Sequence, residues 1–297
     1  MIKTIGVLAH PRRPETIPVA HEIAETITRH NLQAWVSEDG TDSLSQAQVK
    51  GSDFVVVIGG DGAMLRAMRF CAPLDIPVFG INMGYLGFLT ESTPEKWEKC
   101  LGKILKNNYW VEKRFMLTSE IWRNVTCIAR ENVLNEVVVS RGEVAKTVHL
   151  DAYINDEWAT YYNADGVVIA TATGSTAYAL AVGGPILPPE LDNMLIVPIA
   201  PHISMERPVV LSQGASVKIV ISPRTQTDVV VTVDGRSMEK IEAEDEVRVY
   251  ASEYRASFIR LQGRNYFFRS LMDRMEPRFS PRRPSDKEEA SGKRKKN

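Results

Sequence analysis

Residues 53–68 read DFVVVIGGDGAMLRAM, and the fold is decided there. Phe54, Val55, Val56, Val57 and Ile58 form a short apolar run rich in β-branched side chains, as suits a strand buried on both faces. Gly59, Gly60, Asp61 and Gly62 follow as a turn. Ala63, Met64, Leu65, Ala67 and Met68 then read as helix, with Arg66 and Arg69 among them. Glycine lets a backbone turn sharply and come close to a ligand, and the free N–H groups of a helix start favour phosphate. A carboxylate inside such a turn would repel phosphate, so Asp61 needs a different role, either taking a proton or holding a metal ion. A plain tight turn with a solvated Asp61 stands beside that reading on these four residues alone. Two familiar phosphate motifs are excluded. The chain lacks G-x-x-x-x-G-K-[ST], and in G-x-G-x-x-G the third glycine would fall on Leu65.

Working outward, residues 2–9 read as a first strand, 15–30 as a helix through Ile17, Ala20, Ile23, Ala24 and Ile27, and 32–36 as a second strand. Residues 38–52 are polar and irregular; 76–81 reads as strand and 94–105 as helix. Strands alternating with helices predict a parallel sheet covered by helices, with ligands outside the carboxyl ends of its strands. The 59–62 turn and the loop NMGYLGF at 82–88 lie at such ends, and Tyr85 and Phe88 either flank a pocket or pack beneath the loop. From Arg114 onward short runs predict a β-rich second part: 116–122, 125–130, 133–139, 148–154, 158–161, 167–170, 195–199, 209–211, 217–221, 229–233, 247–250 and 258–261. Asn155-Asp156 is a hairpin turn between two of them. Residues 265–275 (NYFFRSLMDRM) read as an amphipathic last helix that returns to the first domain.

A chain of 297 residues makes one large or two ordinary domains. Its 44% hydrophobic and 25% charged residues are the balance of a soluble globular protein, and a net charge of -1 gives no global pull toward nucleic acid or a membrane surface. The tail 276–297 carries eight Lys/Arg against four Asp/Glu and, apart from Phe279 and Ala290, no apolar residue, so it is expected to be disordered. Cys71, Cys100 and Cys127 form no C-x-x-C pair, which predicts reduced thiols in a cytosol rather than a zinc site or disulfide framework. MIKTIGVLAH runs into a strand without a signal-peptide pattern, and no apolar run approaches a membrane span.

Two dense polar regions lie in the second part. Asn135-Glu136 opens a strand, its side chains on opposite faces if extended, and suits hydrogen bonds to a base or to ribose hydroxyls. Asp165-Gly166 is followed by TATGSTAY at 171–178 and GGP at 183–185, where hydroxyls and N–H groups suit ribose and phosphate. Ser175 is not read as a hydrolase nucleophile, because G-x-S-x-G is absent.

GGDG at 59–62, NMGYLGFLTE at 82–91, NE at 135–136, DG at 165–166 with TATGSTAY and GGPI at 183–186, then PHISMERPVVL at 201–211, occur in this order. The set resembles the bacterial NAD kinases, from about residue 3 to 275. The resemblance implies an α/β N-terminal domain with a Rossmann-like parallel sheet (1–108), a β-rich C-terminal NAD-binding domain (109–264) and homo-oligomeric assembly as dimer or tetramer. It implies transfer of the γ-phosphate of ATP to the 2′-hydroxyl of the adenosine ribose of NAD, giving NADP, with Mg²⁺ on the donor, in the cytoplasm. By residue, Asp61 matches the proton acceptor, Gly59, Gly60 and Gly62 the phosphate turn, and Gly62 and Arg66 positions at the substrate. Asn135 and Glu136 match the NAD-binding pair; Lys146 and Asn163 fall at substrate-contacting positions, and Asp165 resembles the acid reaching the nicotinamide riboside. Thr173 and Thr176, Ala177, Tyr178, Ala179, Leu180 and Ala181 match the adenosine-side loop. Ala200 falls where a neighbouring subunit approaches NAD, and Asp234-Gly235-Arg236 resembles a late turn near the reacting phosphate. Ala63 stands where threonine or asparagine is common, and Ala172 where proline is usual. No protein metal cage, nucleic acid or membrane is expected. Two other readings are a lipid or sphingoid kinase, which shares GGDG turns but needs an exposed apolar groove, and a non-catalytic NADP(H) sensor, against which Asp61 speaks. His10 and His202 lie near the expected site and lean toward structural roles.

Overall fold

The computed structural model describes residues 2–41, 44–84, 87–143, 146–202 and 205–275; Tyr85 and the 276–297 tail lie outside the described residues. By its contacts the chain divides into Met1–Leu261 and Gln262–Asn297.

The first unit opens with β1 (Thr4–Leu8), α1 (Thr16–Arg29), β2 (Gln33–Ser37), the single turn α2 (Gln46–Val49), β3 (Phe54–Ile58), α3 (Asp61–Cys71), β4 (Val78–Ile81) and α4 (Trp97–Leu105). β1 pairs in parallel with β2 and β3, and β3 with β4. Every residue of β3 and β4 is buried, as a continuous apolar run requires when helices cover both faces. Alternation sorts the faces. Val56 and Ile58 pack with Ile23 and Ile27 of α1 and Leu101 of α4, whereas Val55 and Val57 pack with Met64, Ala67 and Met68 of α3. The order β2-β1-β3-β4 reverses between β1 and β3, which opens a crevice beyond Leu8 and Ile58. The glycine turn 59–62 sits there.

The unit continues with β5 (Trp110–Arg123), β6 (Thr126–Val133), β7 (Glu136–Arg141), β8 (Val148–Ile154), β9 (Glu157–Ala164), β10 (Gly166–Thr171), α5 (Tyr178–Ala181), β11 (Met194–Ile199), β12 (Val209–Leu211), β13 (Val217–Ile221), β14 (Val229–Val233), β15 (Arg236–Ile241) and β16 (Glu246–Arg260). Among the described residues six strands, β12-β11-β10-β7-β14-β15, form an antiparallel sheet. The expected runs 247–250 and 258–261 are one strand, β16, because a bulge between Ala251 and Arg255 absorbs the polar residues between them. β16 pairs with β13 at its start and with β4 at Phe258, so one sheet carries the parallel and antiparallel regions together. Leu117, Val139, Ile169, Ile219, Val231 and Val247 fill the core between the two sheets. β13 and β14 alternate buried with half-buried residues, the pattern of strands packed on one face. The expected α/β region and β-rich region are thus both present.

Three local expectations are corrected. The run 133–139 breaks, since β6 ends at Val133 and β7 begins at Glu136. β15 is an additional strand whose sequence RSMEKI hides it, because only Ile241 is buried. Residues 171–178, expected as loop, coil into a 3₁₀ turn at Gly174–Thr176 that leads into α5.

In the second unit, α6 (Tyr266–Met275) matches the helix expected over 265–275, and Gly263 accepts a hydrogen bond from the Tyr266 N–H at 3.0 Å.

Candidate active site

The glycine turn is shaped by close approach. A Cβ on Gly59 would lie 2.7 Å from the Cβ of Ala63, so the turn folds directly onto the first coil of α3. Ala63 is buried there, which accounts for a small residue at that position. Gly60 caps α3 without a side chain, and the first N–H groups of the helix face the turn. Asp61 opens the helix, where the helix dipole favours its negative charge. Its carboxylate is gripped by the second loop: Oδ2 accepts from the Phe88 N–H at 2.8 Å and Oδ1 from the Leu89 N–H at 3.0 Å. A Cβ on Gly87 would fall 1.9 Å from Asp61 Oδ1, so this approach requires glycine.

A cavity of about 160 Å³ lies beside the turn, between α3 and the β14–β15 hairpin. Gly62, Arg66 and Arg69 line one wall and Asp234, Gly235 and Arg236 another. Glu131 lies 3.6 Å from Arg69 and 3.7 Å from Arg236, so three guanidinium groups share the cavity with the carboxylates of Glu131 and Asp234. Such an excess of arginine suits a polyphosphate. His10, beyond β1, has Nε2 3.3 Å from the Arg66 guanidinium. Burial first, then Arg66, Arg13 and Arg12, hold its imidazole below the ordinary value against a small pull from Glu15.

The Asp234-Gly235 hairpin has φ of 47° and 76°, the paired left-handed residues of a type I′ turn. The Asp234 carboxylate accepts from the N–H groups of Leu134 (3.0 Å), Asn135 (2.7 Å) and Glu136 (3.2 Å). That explains why the strand run breaks at 134–135: the backbone turns toward a carboxylate instead of a neighbouring strand. Burial raises the Asp234 carboxyl above its usual range, opposed by these three N–H groups and by Arg69.

The hydroxyl-rich loop locks onto the same backbone. Thr171 donates its N–H to the Asn135 carbonyl at 2.9 Å and its hydroxyl to the Leu134 carbonyl at 2.6 Å. Gly174 lies so close that a Cβ would meet the Asn135 carbonyl oxygen at 2.1 Å. Ser175 is fully buried, donating to the Ala172 carbonyl at 2.7 Å and accepting from the Leu187 N–H at 2.9 Å. Its hydroxyl is structural, in line with its rejection as a nucleophile.

Glu136 is buried, and among the described residues its Oε2 has no hydrogen-bond partner. An orphaned buried carboxylate oxygen marks a place for a ligand donor. Burial, then the Asp234 carboxylate, push its carboxyl from 4.5 up to about 7, against the pull of the Tyr178 N–H. The folded state therefore keeps a proton that the unfolded chain releases near 4.5. Stability is full below about pH 4.5 and falls as pH rises toward about 7, by on the order of 3 kcal/mol. Glu136→Gln is expected to flatten this slope, so the variant gains on the parent above about pH 7 and matches it below about pH 4.5. Urea melts across that window check it; equal slopes in the two proteins would refute it.

The structure divides the expected site residues. Asp61, Gly62, Arg66, Asn135, Glu136, Thr173, Thr176, residues 177–181 and Arg236 belong to the turn, the cavity wall, the amide–carboxylate pair and the loop locked onto that pair. Asn163, Asp165, Lys146 and Ala200 gather at the other end of β7 and β10, where Gly166 pairs with Ser140 and Ile199. Five residues of strand separate that end from Glu136, about 17 Å. There Asp165 makes a two-pronged ion pair with Arg141, at 2.8 and 2.9 Å. Lys146 pairs with Glu143 at 2.7 Å, and Ala200 takes a left-handed φ of 44°. The Asn163 carbonyl accepts from His202 N–H at 2.7 Å, while its buried Oδ1 has no partner among the described residues. Sequence reasoning missed Arg69, Arg141, Glu112, Arg114 and Arg260. The only signal was an arginine inside an apolar strand pattern, as at Arg114 and Arg260.

Residues 5–109 match the ATP-NAD kinase N-terminal domain and residues 134–261 the ATP-NAD kinase C-terminal domain. The chain is 34% identical over 285 residues to the NAD kinase of Thermoanaerobacter sp. (strain X514), covering 93% of this chain and 100% of that one. It is 35% identical over 277 residues to the NAD kinase of Chloroflexus aggregans, covering 93% and 99%. Among solved structures, an NAD kinase from Archaeoglobus fulgidus in complex with ATP has a TM-score of 0.71 at 26% identity, covering 92% of this chain and 98% of that one. A yeast NADH kinase complexed with NADH shares the fold, with a TM-score of 0.78 at 23% identity over 95% and 89% of the two chains. By sequence along nearly its whole described length, the chain belongs to the ATP-NAD kinase family.

Proposed function

We propose that the protein phosphorylates the 2′-hydroxyl of the adenosine ribose of NAD, using ATP, with Asp61 as the proton acceptor. The observation that carries this is one carboxylate held by two N–H groups in a glycine turn, beside a cavity rimmed by Arg66, Arg69 and Arg236. A ribose hydroxyl is a poor acid, and a positioned base is worth about a hundred- to ten-thousand-fold in rate. The two N–H bonds orient the carboxylate and leave lone pairs for the incoming proton. The helix N-terminus and the three guanidinium groups take the phosphates, since phosphoryl transfer is mostly positioning and charge neutralisation. The hydroxyl-rich loop and Asn135 hold the adenosine, and Glu136 Oε2 accepts from a ribose hydroxyl. The division near residue 108 separates the part with the proton acceptor from the part with the NAD loop; the two family matches, 5–109 and 134–261, support it.

Among the described residues no three His, Cys, Asp or Glu side chains converge on a metal-sized point. Mg²⁺ keeps several waters and takes one or two carboxylates plus substrate phosphates, so it needs no such cluster. Asp61 is the carboxylate at the turn that would face it, and Mg²⁺ would supply neutralisation of the donor's charge.

Asn163, Asp165, Lys146 and Ala200 lie at the far end of β7 and β10 from Glu136, and the assembly proposed with this function is a homodimer or homotetramer in which they act on the NAD of a neighbouring copy. Mixing inactive Asp61→Asn chains with inactive Asp165→Asn chains should restore a fraction of turnover through hybrid sites. No recovery after exchange of subunits would refute the shared site. No described helix is long and apolar enough to cross a membrane. Cys71, Cys100 and Cys127 are unpaired thiols, which supports a cytoplasmic location. The direct test is NADP formation from NAD, ATP and Mg²⁺, read with an NADP-specific dehydrogenase. NAD or NADP(H) binding without turnover would favour the sensor reading instead.

A further inference from the structure

Beneath the 87–91 segment lies a set of charges that the proposed chemistry does not use. Arg260 and Arg114 are buried almost completely, as are Glu91 and Glu112. Arg260 Nε donates to Glu112 Oε2 at 2.8 Å and its Nη1 to Glu91 Oε2 at 3.2 Å. Arg114 Nε donates to the same Glu112 oxygen at 3.1 Å, and its Nη1 lies 3.5 Å from the Thr173 hydroxyl. Both guanidinium groups stack over the Phe258 ring, at 5.3 and 5.5 Å from its centre. Two cations and two anions balance, which lets the group sit out of water.

Two further donors of Arg260 reach the chain that grips Asp61. Nη2 donates to the Phe88 carbonyl at 3.3 Å and Nη1 to the Leu89 carbonyl at 3.1 Å. The Phe88 carbonyl and the Leu89 N–H belong to one peptide plane. That N–H donates to Asp61 Oδ1, so a single rigid amide links the guanidinium to the carboxylate. A carbonyl that accepts from a cation leaves its N–H a stronger donor. The segment also needs an outside clamp, because Gly87 gives its backbone a wide range of conformations once it leaves the carboxylate. Leu261 closes the clamp, its N–H bound to Glu91 Oε1 at 2.8 Å.

We propose that Arg260 is a positioning residue for the phosphoryl transfer, setting the Asp61 carboxylate through the Phe88–Leu89 peptide. The proposal rests on the reading of Asp61 as proton acceptor. Lysine at this site keeps the charge but lacks the planar fork that reaches both carbonyls and both carboxylates at once.

The experiment is a cycle of Arg260→Lys, Asp61→Asn and the double variant in the full chain, with kcat and KM for NAD measured for each. Arg260→Lys should lower kcat about ten- to a hundredfold, the scale of a misplaced reacting group, and leave KM for NAD within about threefold. In the Asp61→Asn background the same change should cost at most about twofold, because its route to the reaction is gone. A full multiplicative loss in the double variant, or a raised KM with kcat unchanged, overturns the role of Arg260 while leaving Asp61 as acceptor. Near-normal turnover of Asp61→Asn alone overturns the acceptor reading and this proposal with it. Should Arg260→Lys not fold, Glu112→Gln keeps the packing and loosens the same guanidinium. A loss of kcat confined to the Asp61 background then supports the role, and an equal loss in both backgrounds overturns it.

Discussion

Asp61→Asn should leave NAD affinity within about threefold of the parent and lower kcat by about a hundred- to ten-thousand-fold, the span a general base supplies. The substitution is nearly isosteric, so the glycine turn and the cavity wall stay in place. A carboxylate accepts from both Phe88 and Leu89 N–H groups, whereas a carboxamide offers only one oxygen and turns its NH₂ toward the other donor. One buried donor then loses its acceptor, at about 1–3 kcal/mol. A modest fall in melting temperature is therefore part of the expected result and does not count against it. Calorimetric NAD binding separates the two effects: intact binding with collapsed turnover isolates the proton acceptor. If turnover stays near normal, Asp61 only staples the 87–89 segment to α3, and another group must take the proton.

The second large effect concerns a residue with no chemistry of its own. Gly174→Ala should destabilise the chain by about 3 kcal/mol or more and raise KM for NAD together. The added methyl would stand 2.1 Å from the Asn135 carbonyl oxygen and 2.5 Å from its carbon, both backbone atoms with no side chain to swing away. Overpacking of this kind costs about 1–3 kcal/mol where neighbours relax and more where they do not. Relief requires parting the 171–176 loop from residues 134–135, which also breaks the Thr171 hydrogen bonds to both carbonyls. Gly102→Ala is the control. Gly102 lies inside α4 with nothing within 4 Å of its would-be Cβ. There the same change should stabilise by about 0.5–1 kcal/mol through helix propensity. Paired thermal melts check both, and an unharmed Gly174→Ala protein would show that the loop is not anchored through that contact.

Much of this was legible in the residues because the signals were local. The 54–58 run reads as a buried strand, since a strand covered on both faces shows no alternation, and the structure buries all of it. Gly59-Gly60-Asp61-Gly62 reads as a turn into a helix because only that geometry explains three glycines between an apolar run and a periodic one. Asn155-Asp156 reads as a hairpin turn, and both residues have positive φ. What stayed hidden depended on long-range partners. β15 is polar and, among the described residues, pairs with β14 alone, so no pattern marks it. The break at Leu134-Asn135 follows from the Asp234 carboxylate, about a hundred residues later in the chain, and no window around Asn135 contains that information.

By itself, then, the sequence determined most of the elements, with β15, the break at 134–135 and the coil at 174–181 as exceptions, and the order of the motifs, the family and the one acidic side chain in the glycine turn. These rest on spacing, apolar period and backbone-permissive residues, all properties of neighbours along the chain. Only the tertiary structure decided what the charged side chains do. It set Asp234 against three N–H groups, left Glu136 with an orphaned oxygen, and separated Asp165 from Glu136 along β7 and β10. It also placed Arg260 behind the peptide that grips Asp61. An ionised group is stable in a protein interior only beside its partners, and the fold alone brings those partners within reach.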